Sequence, residues 1–188
     1  MTNTKGNVMS NITKAVAALS VVAGLGVAAL PLSSFAATSQ VDITAIVDNT
    51  IGISVSAPEV EMTVAPNGPV STKTVDVTVT TNNTRGYTLN IKDSDNETAL
   101  VRYNDSLVAE GTIPAAAPAK GTSGWGFMGG DLSGSWNAIQ TTDQQLVEKT
   151  SSTLNGSETT PVTFGVSAAT GLANGTYKGG VIFTATAK

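Results

Sequence analysis

Apolar and polar residues alternate with period two in one segment after another of this chain, and that pattern limits its fold more than any other feature. Residues two apart face the same side of an extended strand, so alternation builds half-buried β-strands rather than the apolar stripe of a helix. Val75, Val77 and Val79 alternate with Thr74, Asp76, Thr78 and Thr80, a β-branched run with high strand preference. Tyr87, Leu89 and Ile91 repeat the pattern after the turn residues 82–86, which predicts a β-hairpin over 72–92. Earlier, Val41, Ile43, Ala45 and Val47 predict a first strand, with a bend at Asp48-Asn49-Thr50 before Ile51, Ile53 and Val55. Val60, Met62 and Val64 predict another, ended by Ala65-Pro66-Asn67-Gly68-Pro69, where Pro fixes φ and Asn-Gly tolerates a positive one. Val162, Phe164 and Val166 form a late strand, and Tyr177, Val181, Phe183 and Ala185 lead into a closing one. Residues 145–150 fit a short strand or one helical turn, and the Gly-, Ala-, Pro- and Ser-rich residues 110–134 predict the longest irregular region. About seven to ten short strands without helical crossovers predict an all-β fold, an antiparallel two-sheet sandwich of Ig-like layout.

One segment breaks the pattern. Lys5 and Lys14 precede an uncharged apolar run over residues 15–30, Pro31 ends it, and Ser34 and Ala36 place small residues where a signal peptidase needs them. These features predict a signal helix within a signal peptide over residues 1–36, cleaved between Ala36 and Ala37. The run is shorter than the roughly 20 residues that span a bilayer, so membrane contact is expected only through this segment if it stays uncleaved. Residues 37–188 are then one exported domain, secreted or held at the cell surface. No LPxTG-like sorting motif or basic tail is present, so retention is expected to be non-covalent. Cleavage removes two lysines and no acid, making the net charge of −4 more negative. Nucleic acid is thus no expected partner, whereas cell-envelope components or other surface proteins are.

The chain has no His and no Cys. Ser-His-Asp triads, Cys-His pairs and nearly every zinc site are excluded by residue type, and the expected function is non-catalytic, with no cofactor. Carboxylate-pair hydrolysis survives this exclusion, because it needs only two acids about 5–10 Å apart in a cleft. Asp93, Asp95 and Glu97 place three carboxylates on one short loop. Such a set could hold calcium, although the glycine and distal glutamate of an EF-hand loop are missing, and acidic clusters at strand ends are ordinary turn chemistry. Trp125, Phe127 and Trp136 are the candidate ligand contacts: aromatics on loops stack against sugars, or else pack inside.

The runs 78–89 (TVTTNNTRGYTL), 125–127 (WGF), 162–166 (VTFGV) and 175–177 (GTY) with 181–185 resemble a family of uncharacterised exported β-sandwich surface proteins of reduced-genome candidate-phylum bacteria. More distantly, the layout is similar to WxL-type cell-surface domains. Here Tyr87-Thr88-Leu89 stands where a Trp-x-Leu motif is expected, and Trp125 is followed by Gly-Phe. The resemblance implies a sandwich, Ig-like or WxL-like, at the cell surface. An adhesive or structural role is the first expectation and a wall- or glycan-binding module the second. A third is a calcium-binding or strand-exchanging subunit, in which residues 37–47 lend a strand to a neighbour. The plainer expectation is that this strand closes its own domain.

Overall fold

The computed structural model describes residues 39–103, 109–151 and 156–188. The apolar run and the Ala36–Ala37 bond lie outside the described residues. The chain divides into two units, Met1–Thr44 and Ala45–Lys188. In the first, the described residues 39–44 are exposed and belong to no strand. The second is nearly all β: nine strands and one short 3-10 turn, Gly130–Leu132, among the described residues. No helix among these residues is long and apolar enough to cross a membrane.

The strands are β1 (Ile51–Val55), β2 (Ser71–Thr81), β3 (Tyr87–Asp93), β4 (Leu100–Tyr103), β5 (Ala109–Ile113), β6 (Gly124–Gly129), β7 (Gln144–Glu148), β8 (Gly156–Ser167) and β9 (Val181–Ala187). One sheet has the order β1-β2-β8-β6, a second β7-β3-β9, and β4 pairs with β5. Every strand pair is antiparallel. The alternation predicted for β2, β3 and β8 is realised, since Val75, Val77, Val79, Tyr87, Leu89, Ile91, Val162, Phe164 and Val166 are all buried. Side chains from both main sheets, with Phe127 of β6 and Leu146 of β7, join one apolar core. Thr74, Thr78 and Thr80 face outward and pair hydroxyl to hydroxyl with Thr163, Thr159 and Ser157 across the β2–β8 ladder, at 2.8–2.9 Å.

The predicted hairpin over 72–92 is not formed. β2 lies between β1 and β8, β3 lies between β7 and β9, and the loop 82–86 carries the chain from one sheet to the other. Asn83 is the reason. Its side chain is buried and donates to the carbonyls of Gly86 and Lys188 while accepting from the Arg85 amide, which ties the loop to the far end of β9. Gly86 then turns at φ 89° against the carbonyl of Lys149, a conformation that only glycine adopts without strain.

Four further expectations are corrected. Residues 41–47 form no strand, because a strand needs a backbone partner and alternation alone supplies none. Asp48-Asn49-Thr50 contains no bend: the Asn82 side chain accepts from the Thr50 amide and donates to the Asp48 carbonyl, holding these residues in line with β1. The Gly-rich stretch 110–134 contains most of β5 and all of β6. Val60, Met62 and Val64 lie half-buried against the core without strand pairing, and residues 144–148 are a strand, not a helical turn.

The outer edge of β6 is covered by the chain itself. Trp125 N–H donates to Pro114, Ala116 N–H donates to Trp125, and Phe127 exchanges both backbone bonds with Asn137. Gly130 packs closely against the Leu146 carbonyl of β7. β1 and β9 end their sheets on the remaining side and lie beside one another. The core-facing Ile51, Ile53 and Val55 of β1 remain 37–42% exposed there.

Candidate functional site

Trp125 and Phe127 sit on β6 opposite Val166 and Phe164 of β8. Their glycine neighbours, Gly124 and Gly126, occupy the alternate positions, so both aromatic rings turn to the core face. Phe127 is 0% exposed, and Trp125 is buried with its indole N–H donating to the Thr98 carbonyl at 2.8 Å. Neither ring is a stacking platform, which corrects the expectation of ligand contact: a ring without exposed surface cannot meet a sugar.

Trp136 is half-buried and lies on the other face of the same strand pair. Its ring covers Gly165, whose partner across the ladder is Gly126. A side chain at Gly165 would run into that ring, and one at Gly126 would run into the Asn137 carbonyl. The paired glycines thus form the flat bed that holds the 130–139 loop against the sheet. Gly165→Val is expected to eject the indole and lower stability by about 1–3 kcal/mol. A red-shifted tryptophan emission checks the ejection; unchanged emission and stability would mean that the ring is not seated there.

The acidic loop serves its own backbone. Asp93 Oδ2 accepts from the Asp95 amide at 3.0 Å, Asp95 Oδ1 from the Glu97 amide at 3.0 Å, and Glu97 Oε1 from the Ala99 amide at 3.2 Å. Each carboxylate bonds the amide two residues on, the local turn chemistry that short acidic side chains favour. An open depression of about 330 Å³ borders Asp95, Glu97, Tyr103 and Lys178. Asp93 is buried outside it, and its Oδ1 has no hydrogen-bond partner among the described residues. Among the described residues no three His, Cys, Asp or Glu side chains gather as a metal set. The amide bonds are the turn chemistry expected of the cluster, and the alternative that Asp93, Asp95 and Glu97 hold calcium gains no support from them, since the bonded oxygen of each carboxylate serves a different amide.

A polar cluster that sequence reasoning missed links the two main sheets. The buried Tyr87 of β3 donates its hydroxyl to Glu158 Oε2 of β8 at 3.2 Å, and Lys149 Nζ lies 3.2 Å from the same oxygen. Burial, together with the Glu158 charge and hydrogen bond, pushes the Tyr87 phenol up from 10.0 to about 12. Between these values the unfolded chain loses the phenolic proton while the folded chain keeps it. The stabilisation is complete below pH 10 and is lost as pH rises toward 12, by about 2–3 kcal/mol. Urea titrations at pH 9 and pH 11.5 are expected to show that loss in the parent protein and much less of it in Tyr87→Phe. Equal losses in both would place the phenol in water.

Tyr87 was legible in the sequence as a core residue; its partner 71 positions away was not. No family model matches the chain, and no curated protein matches it.

Proposed function

We propose that this chain is an exported, non-catalytic structural or adhesive subunit of the cell surface, with its two main sheets packed face to face as a sandwich. One observation carries the reading: the groups best able to do chemistry serve the fold. The acidic loop bonds its own amides, Tyr87 and Glu158 join the sheets, and Trp125 and Phe127 fill the core. The β2–β8 outer face is a ladder of paired hydroxyls. Such cross-strand pairs stiffen a sheet without charge, and this chain stiffens it without disulfides. An outer face of paired hydroxyls in a chain with few charged residues suits a module that spaces or attaches rather than one that turns over a substrate. The reading agrees with the resemblance to exported β-sandwich surface proteins.

The test is labelling of intact native cells with a membrane-impermeant amine reagent. Lys73 and Lys120 are exposed in the folded domain, and both are expected to label before lysis. Labelling only after lysis would overturn the surface assignment.

A further inference from the structure

We infer that the apolar seam along the free edges of β1 and β9 is a docking site for residues 41–47 of a second copy of this chain, so that copies join head to tail by strand exchange. The inference goes beyond the surface assignment, because it names the partner and the contact.

The donor is incomplete as it stands. Val41, Ile43, Ile46 and Val47 are 80–88% exposed, and Val41, Ile43, Ala45 and Val47 share the parity of one strand face. An extended apolar row of this kind has no reason to remain in water. Asn82 bonds residues 48–50 ahead of β1, and no turn or bend falls within residues 39–50, whereas a hairpin onto the β1 edge requires one.

The acceptor is incomplete in a matching way. β1 and β9 have no second strand partner among the described residues. Asn82 N–H donates to the Thr50 carbonyl and Ser56 N–H to the Asp76 carbonyl, so the even-numbered residues of β1 bond β2. The backbone groups of Ile51, Ile53 and Val55 consequently point to the free edge. These three residues also turn their partly exposed side chains to the core face, beside the half-buried Phe183 and Ala185 of β9. Exposed apolar edges of this kind invite pairing with another chain. A strand added there bonds the β1 backbone and lays its apolar row over the seam, the β-augmentation mode of recognition. Residues 41–47 are as long as the seven-residue β9. One donor and one seam per copy make the contact heterologous, so it propagates into a ring or a fibre.

The absence of cysteine makes the test clean. The protein is produced with its full N-terminal segment in an export-competent host and purified as that host processes it. Retention in the cytoplasm would count against export and is read separately from assembly. Light scattering is expected to show oligomers that grow with concentration, and Ile43→Asp, at a solvent-exposed position where folding is not at risk, is expected to return them to monomer. Under mild oxidation, Ile43→Cys protein mixed with Ile53→Cys protein is expected to form the mixed dimer at least tenfold faster than Thr44→Cys protein does, because Thr44 lies on the opposite face. A concentration-independent monomer would overturn the inference. So would an intrachain disulfide in the double variant carrying Ile43→Cys and Ile53→Cys, since the segment would then be closing its own seam.

Discussion

Phe127→Ala is expected to lower the unfolding free energy by about 3–5 kcal/mol, the usual loss for a fully buried aromatic. Phe127 has no exposed surface and stands opposite Phe164 across the β6–β8 ladder. Its backbone is fixed from the other side by both bonds to Asn137. Strand β6 therefore has little freedom to collapse into the cavity, which puts the loss toward the upper end of that range. Urea unfolding should show a lower midpoint with an unchanged slope, the sign of lost stability rather than a changed unfolded state. A loss under about 1 kcal/mol would mean that Phe127 is not enclosed as described, and the surface role set aside for this aromatic would have to be reopened.

Gly86→Ala has the second large effect. The residue sits at φ 89°, and a methyl group there would overlap the Lys149 carbonyl and crowd the Ser151 amide. Positive φ alone costs a non-glycine residue about 1–2 kcal/mol. The overlap adds to it, because the atoms met are backbone and cannot swing aside as a side chain would. A total above about 2 kcal/mol is expected by the same urea measurement. The loop 82–86 is also the crossing between the two sheets, held by Asn83 to Lys188 and Gly86. Ala substitution at Asn83 should accordingly lose stability too, whereas Gly52→Ala, where a methyl group meets nothing within 4 Å, should cost little by comparison. Equal, small losses at Gly86 and Gly52 would contradict the crossing geometry.

Faces were legible in the amino-acid sequence, partners were not. The valines of β2 and the Tyr87-Leu89-Ile91 row of β3 announce which side is buried, because that depends only on residues two apart. Whether β2 and β3 pair with each other depends on Asn83 reaching a carbonyl 105 residues away, which no local pattern records. Turn residues such as Asn82-Asn83 and Gly86 serve a hairpin and a crossing between sheets equally well. The same limit explains residues 41–47, which alternate as well as any strand but have no strand partner among the described residues. Glycine misled in β6, where Gly-Trp-Gly-Phe reads as loop by composition. It is also a period-two row whose small members allow Asn137 and, on the facing strand, Trp136 to approach. That alternation was the available signal for placing Trp125 and Phe127 inside. The carboxylates of the acidic loop were visible as a cluster, yet their direction is set by amides two residues on.

We propose that this β domain works outside the cytoplasm as a processed, non-catalytic surface subunit. This role is tested most directly by mass spectrometry of the native protein's N-terminus in separated cell fractions. The expected first residue is Ala37, found in the envelope or the medium, which would leave the apolar segment 41–47 close to the new N-terminus. An intact Met1 in the membrane or cytoplasmic fraction would contradict it, making the apolar run an anchor or an internal segment and removing the basis for a surface role.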